Sequence, residues 1–255
     1  MSVVLIEKQS PQVTVVTLNR PERRNALTIE VMTELIGAVD SASADEKQRV
    51  LILRGAGAVF CAGLDLQETA LTQDAHVAAE IVAKTLITLS QTRLITIAAV
   101  HGAAVAGGAG IMSACDFAIA AARTKFGYPE AKRGLVAGLV LTFLRRQLRE
   151  RDIRELLLTS ELIGANRALE IGLINRIVPP NELENEVQKV VDAILQNAPG
   201  ALSNTKRLIE ELWSSSVKHD VDLALTHHMQ ARESAEAREG IAAFLEKRPP
   251  NWTKL

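Results

Sequence analysis

The sequence predicts an α/β fold that gives way to a helical C-terminal region. Two observations carry this. A buried strand followed by a glycine-rich turn occurs twice, at residues 50–53 with glycines 55, 57 and 63, and at residues 94–100 with glycines 102, 107, 108 and 110. Each unit leads into a helical pattern, and alternation of buried strands with helices marks α/β architecture. Residues 201–255, by contrast, show no strand pattern and read as helices throughout. The boundary is drawn at the linker Asn197-Ala198-Pro199-Gly200, giving a core over 1–196 and a helical region over 197–255.

The chain opens with β-rich runs at residues 3–7 and 13–19 around Ser10-Pro11-Gln12, which predicts a hairpin. A basic loop, residues 19–27, follows. Thr28 is placed to cap a helix whose apolar face is Ile29, Met32, Leu35, Ile36 and Val39. The run LITIAAV at 94–100 is uncharged and rich in β-branched residues, as a strand covered on both faces requires. A second apolar strand is predicted at 117–120. Residues 139–148 read as a helix with Arg145, Arg146 and Arg149 on a solvated face, and Asp152 as the cap of the next. A short helix over 165–171 stops at Gly172, a strand follows at 175–178, and a helix begins at Leu183 after Pro179-Pro180.

Composition narrows the function. With 255 residues the chain can bury a large core, and 47% hydrophobic against 23% charged residues is globular. A net charge of −1 supplies no electrostatic ground for binding nucleic acid or membranes. Aromatic content of 3% leaves little to stack bases on. Cys61 and Cys115 sit in small, apolar surroundings and read as buried thiols of a reducing compartment, so a cytoplasmic location is expected. The N-terminal MSVVLIEKQS has neither the basic nor the long apolar segment of a signal peptide, and no run reaches about 18 apolar residues.

The chemistry is expected at the glycine turns. A strand, a small-residue turn and a helix start leave N–H groups aimed at one point, where negative charge is favoured. Two such turns suggest two donors converging on one oxygen, as an oxyanion hole needs. Gly127-Tyr128-Pro129-Glu130 then presents a carboxylate on a stiff turn. Beside Phe126 and Tyr128 that carboxylate is expected to hold its proton to higher pH than usual, as a base working near neutrality should. Other readings fit less well. Gly108-x-Gly110-x-x-Ser113 approaches a dinucleotide fingerprint but lacks the third glycine. Ser113 lacks a nucleophile-elbow setting. His227 and His228 are adjacent and so face different sides of a helix, and no metal site is expected. His101 reads as a hydrogen-bonding residue.

Six stretches carry a family resemblance: Leu18-Asn19-Arg20-Pro21 through Asn25-Ala26-Leu27, Phe60 to Leu66, Ala106 to Gly110, Cys115-Asp116, Phe126 to Glu130, and Phe244 to Pro249. In this order they resemble the crotonase family, the enoyl-CoA hydratases and isomerases. The resemblance spans essentially the whole chain. It implies a spiral of ββα units with a helical C-terminal region, assembled as a homotrimer or a dimer of trimers. It implies an acyl-CoA thioester substrate and no cofactor besides the CoA the substrate carries. The thioester oxygen would be held by the N–H groups of Leu64 and Gly107, with Glu130 as acid and base. CoA and substrate contacts would come from Arg23, Arg24 and Ala26, from Ala62, Leu64, Asp65, Leu66 and Gly107, and from Phe244 and Lys247. The acyl pocket would be walled by residues 68–87, where no motif fixes the acyl chain and His76 and Glu80 are open to the pocket or to water.

One departure matters. Hydratases of the family usually carry a second glutamate at the position of Gly110, which cannot transfer a proton. Hydration of a 2-enoyl-CoA is the leading expectation, because Gly127 to Leu135 is closest to the hydratase pattern. A double-bond isomerase using Glu130 alone, and a CoA-ester binding homologue without chemistry, remain open alternatives.

Overall fold

A computed structural model describes residues 2–68 and 72–253. Residues 69–71, part of the expected pocket wall, lie outside the described residues.

The hairpin forms as predicted from β1 (Val4–Ser10) and β2 (Val13–Leu18). From β2 onward the large sheet is parallel. It adds β3 (Val50–Gly55), β4 (Ile95–Val100), β6 (Phe117–Ala121) and β9 (Arg176–Val178) in that order. A small sheet is built from β5 (Ala103–Val105), β7 (Lys125–Gly127) and β8 (Ile163–Gly164).

The two sheets are threaded as a spiral. The chain runs up β4 in the large sheet, turns into β5 in the small sheet, and enters α3 (Gly107–Ser113). It then repeats the path through β6, β7 and α4 (Gly138–Gln147). Gly102 makes the first corner at φ +64°, where a Cβ would lie 2.0 Å from the Ala58 carbonyl oxygen. Only glycine fits there. The earlier turn of the spiral is less regular than the sequence suggests. After β3 the chain does not pass directly into a helix. Residues 56–68 form a loop that touches the small sheet at one residue, Cys61 opposite Ala104, before α2 (Thr72–Gln91) begins.

Both faces of the large sheet are covered, which explains its uninterrupted apolar strands. Val16, Leu18, Leu51, Leu53, Ala98 and Val100 face one core, shared with Met32 and Leu35 of α1 (Ile29–Ala44). Val13, Val15, Val50, Ile52, Ile95 and Ile97 alternate with them and pack on Val187, Val190 and Ile194 of α7 (Leu183–Leu195). Thr28 caps α1 by accepting a hydrogen bond from the Val31 N–H at 3.2 Å, worth about 1 kcal/mol.

Three local expectations change. Asp152 does not cap α5 (Glu150–Thr159); it lies inside the first turn, ion-paired with Arg149 and Arg167 at 2.7 and 2.9 Å. Arg146 does not lie on a solvated face. Its guanidinium is 11% exposed, paired with Glu210 and Asp220 and set against the Trp213 ring. The linker at 197–200 is shorter than expected, since Pro199 already starts α8 (Pro199–Glu211). The last two helices, α9 (Val217–Arg232) and α10 (Ala235–Leu245), pack back onto their own chain, α9 against α4 and α2, and α10 against residues 131–133.

One buried polar side chain ties the basic loop to the glycine turn. Asn25 is 1% exposed and left-handed at φ +54°. Its Nδ2 donates to the carbonyls of Ala56, Val59 and Phe60 at 2.8, 2.9 and 3.1 Å, and its Oδ1 accepts from the Arg20 N–H at 2.9 Å. Asn25→Ala would strand these groups, each costing about 1–3 kcal/mol if left unpaired. Urea unfolding is expected to show a loss of about 2–4 kcal/mol; a loss below about 0.5 kcal/mol would contradict this role.

Candidate active site

The two glycine turns meet edge to edge. Cys61 N–H donates to Ala103 and Val105 N–H donates to Cys61, both at 3.1 Å, so the segments run alongside each other like strands. Just beyond this ladder, Gly63 takes φ +96° against Ala106. A Cβ on Gly63 would lie 2.9 Å from both the Ala106 Cβ and the Val105 carbonyl oxygen. Ala106 itself is held at φ +50°, ψ −126°, a conformation costly for any residue with a side chain. Its N–H donates to Gly127 at 2.9 Å, which fixes it from the other side.

This contact brings the backbone nitrogens of Leu64 and Gly107 together. A Cβ on Gly107 would stand 3.7 Å from the Leu64 nitrogen. Gly107 is the first residue of α3, so its N–H has no intrahelical partner. Leu64 is held on both sides, by Leu27 N–H donating to Gly63 at 2.8 Å and Asp65 N–H donating to Leu27 at 2.9 Å. Those bonds leave its own N–H to point elsewhere. Two preset donors at one place are what a developing oxyanion needs.

Both residues line a cavity of about 110 Å³, and Glu130 lines it with them. The residue keeps some exposed surface, but its Oε2 is enclosed and makes no hydrogen bond. Burial pushes its carboxyl up to about 7, against smaller opposing effects from its own backbone and from Arg133. The expected rise is therefore present, and burial is its cause.

Ala62, Leu66 and Phe244 also line the cavity, as the sequence suggests. Arg23 and Arg24 are exposed and Ala26 half-buried on a loop held against the turn, with Ala62 N–H donating to Arg24 at 3.0 Å. Asp65 is placed differently from expectation. It does not line the cavity; its carboxylate pairs with Arg20 at 3.3 Å and accepts from the Gln67 N–H at 3.2 Å. These bonds hold the loop. Lys247 is exposed beyond α10, outside the cavity wall. Of the other acidic groups, Glu68 accepts from the Ile29 N–H at 3.0 Å, and His76 pairs with Glu233 at 3.2 Å. The stretch 68–87 reaches the cavity through Ala79 and Val82. His101 bonds the Gly57 carbonyl at 2.9 Å, the hydrogen-bonding role expected of it. Cys61 and Cys115 are free, buried thiols that burial pushes up to about 12.

Among the lining residues that sequence reasoning missed are three basic ones, Arg133, His228 and Arg232. His228 Nδ1 donates to the Val136 carbonyl at 3.0 Å, and burial holds the imidazole below its ordinary value. That contact joins residues 92 apart in sequence, so no local pattern signals it. Arg133 could have been found: a cation three residues after the base, in Glu130-Ala-Lys-Arg133-Gly, is a local oddity.

Known proteins resemble the chain along nearly its whole length. Residues 8–254 match the family model described as enoyl-CoA hydratase/isomerase. Enoyl-CoA hydratase EchA19 of Mycobacterium tuberculosis is 36% identical, over 93% of this chain and 92% of its own. A crotonyl-CoA hydratase of Syntrophomonas wolfei is 32% identical, over 98% and 97%. The crystal structure of an enoyl-CoA hydratase from Mycobacterium avium superposes with a TM-score of 0.87 at 32% identity, covering 99% of both chains. One from Bacillus halodurans gives 0.89 at 25% identity, over 95% and 100%. The chain belongs to the enoyl-CoA hydratase/isomerase family, enzymes that act on acyl-CoA thioesters and share the crotonase fold.

Enclosing Glu130 has a consequence for stability. Folding raises its pKa from 4.5 to about 7, so the native state favours the protonated form. That contribution is complete below 4.5 and is lost as pH rises through about 7. Glu130→Gln is therefore expected to melt above wild type at about pH 9 and to lose that advantage by about pH 4. A variant melting below wild type at about pH 9 would contradict it.

Proposed function

We propose that this enzyme reversibly hydrates 2-enoyl-CoA to 3-hydroxyacyl-CoA. The observation that carries the reading is the enclosed Glu130 carboxyl, poised near 7, in one cavity with the paired N–H groups of Leu64 and Gly107. The thioester oxygen would accept from both N–H groups. As charge moves onto that oxygen, fixed donors stabilise it without reorganising.

Glu130 alone would handle the protons. Its carboxylate takes a proton from water as the water oxygen bonds to C3. The electron pair of the C2–C3 double bond moves into the enolate, and Glu130 returns the proton to C2. Atoms and charge balance, and the carboxylate is regenerated. The reverse steps give dehydration. Arg23, Arg24 and Lys247, all exposed, would meet CoA phosphates. A trimer or pair of trimers is part of the same proposal. Its support is an uncovered apolar patch of Leu208, Ile209, Leu212 and Trp213 on and just beyond α8.

A second reading, double-bond isomerisation, draws on Gly110. This glycine is buried, and a Cβ there would lie 3.1 Å from Val140 and 3.7 Å from Leu86. The position where a second carboxylate is usual is bordered by aliphatic side chains instead. A single base can also move a proton between carbons.

Hydration of crotonyl-CoA, followed by loss of its conjugated absorbance with the 3-hydroxyacyl-CoA product identified, separates the hydratase reading from isomerisation and from binding without chemistry. The rate is expected to rise with pH around a midpoint of about 7. Glu130→Gln is expected to bind acyl-CoA nearly as well as wild type while losing about 100- to 10,000-fold in turnover. Near-normal turnover by this variant would place the base elsewhere.

A further inference from the structure

The mechanism leaves Arg133 without a task, although it lines the catalytic cavity. Its Nε is buried and makes no hydrogen bond. One terminal nitrogen donates to the Pro129 carbonyl at 3.2 Å. Among the described residues it has no carboxylate at ion-pairing distance; Glu130 is near enough to favour its charge but is not paired with it.

The guanidinium is nevertheless held firmly. The Phe244 ring covers it, with the ring centre 4.4 Å from its central carbon. The backbone beneath is wedged against α10, where a Cβ on Gly240 would lie 2.4 Å from the Arg133 carbonyl. Most of the remaining wall is aliphatic, including Leu64, Leu66, Val82, Leu139 and Val140, with His228 and Arg232 as its other basic groups. For a plain hydrocarbon chain, a leucine at position 133 would complete that wall. A guanidinium there costs desolvation, and burial disfavours its charge accordingly. A carboxylate meeting the exposed edge of the fork would offset the cost with charge-assisted bonds.

We propose that Arg133 recognises a carboxylate at the far end of the acyl chain, so the preferred substrate is the CoA monothioester of an unsaturated dicarboxylic acid. This rests on the hydratase reading for the chemistry, but binding can be tested without it. The competing source of an anion is CoA itself, through its phosphates.

The test is calorimetric titration with saturated esters, which cannot be hydrated. Glutaryl-CoA and adipyl-CoA are compared with pentanoyl-CoA and hexanoyl-CoA. Wild type is expected to bind the better acid ester at least about 10-fold more tightly than its neutral counterpart. Arg133→Met should abolish the preference, and Arg133→Lys, which keeps charge without the fork, should retain part of it. Equal or tighter binding of the neutral esters by wild type overturns the proposal, even if neither variant folds. An equal loss for acid and neutral esters in Arg133→Met also overturns it, because that pattern assigns the arginine to CoA or to packing. Crotonyl-CoA hydration by wild type is measured alongside. Hydration of the unsaturated acid ester glutaconyl-CoA is measured with it; absence of both activities would refute the hydratase reading, while the acid-over-neutral ratio still decides the role of Arg133.

Discussion

Everything in the site depends on the contact between Gly63 and Ala106. There two chain segments, each leaving a buried strand, are pressed together more closely than side chains normally allow. The approach is possible because Gly63 has no Cβ and is free to adopt φ +96°. It is maintained by bonds on every side: the ladder between Cys61 and residues 103–105, the Leu27 bonds about Leu64, and the bond from Ala106 to Gly127. The strained backbone of Ala106 is what such over-determination sustains. The result is a pair of N–H groups set in position before any ligand arrives.

The second constraint is electrostatic. Glu130 is enclosed beside its cavity, and that burial holds its carboxyl near 7. The same enclosure that suits proton transfer works against the folded state whenever the group ionises. The large sheet, covered on both faces, provides the stability against which this strain and burial are set. Catalytic geometry and local instability are here two descriptions of one arrangement.

Much of this was legible in the sequence because the determinants are local. Uninterrupted β-branched runs marked the doubly covered strands, and Thr28 marked a helix start. Glycines at 63 and 107 marked the close approach, and Glu130 stood out on its stiff turn. Long-range pairing hid the rest. The pairing of Asp65 with Arg20, 45 residues earlier, had no local signal. Arg146 looked solvated because Glu210, Asp220 and Trp213 lie more than 60 residues away in the chain. His228 reaches the cavity only through the packing of α9 on α4. Asn25, inside a polar loop, gave no sign that it was the buried tie between that loop and the glycine turn.

The central claim is that Leu64 and Gly107 jointly polarise the thioester carbonyl. Infrared difference spectroscopy of butyryl-CoA carrying carbon-13 at the thioester carbonyl measures this directly, since hydrogen bonding weakens the bond and lowers its stretching frequency. On binding, the band is expected to shift to lower frequency than in water, and to stay shifted in Glu130→Gln, where the donors are intact. A bound carbonyl absorbing at or above its solution frequency would show that the two N–H groups do not hold the oxygen.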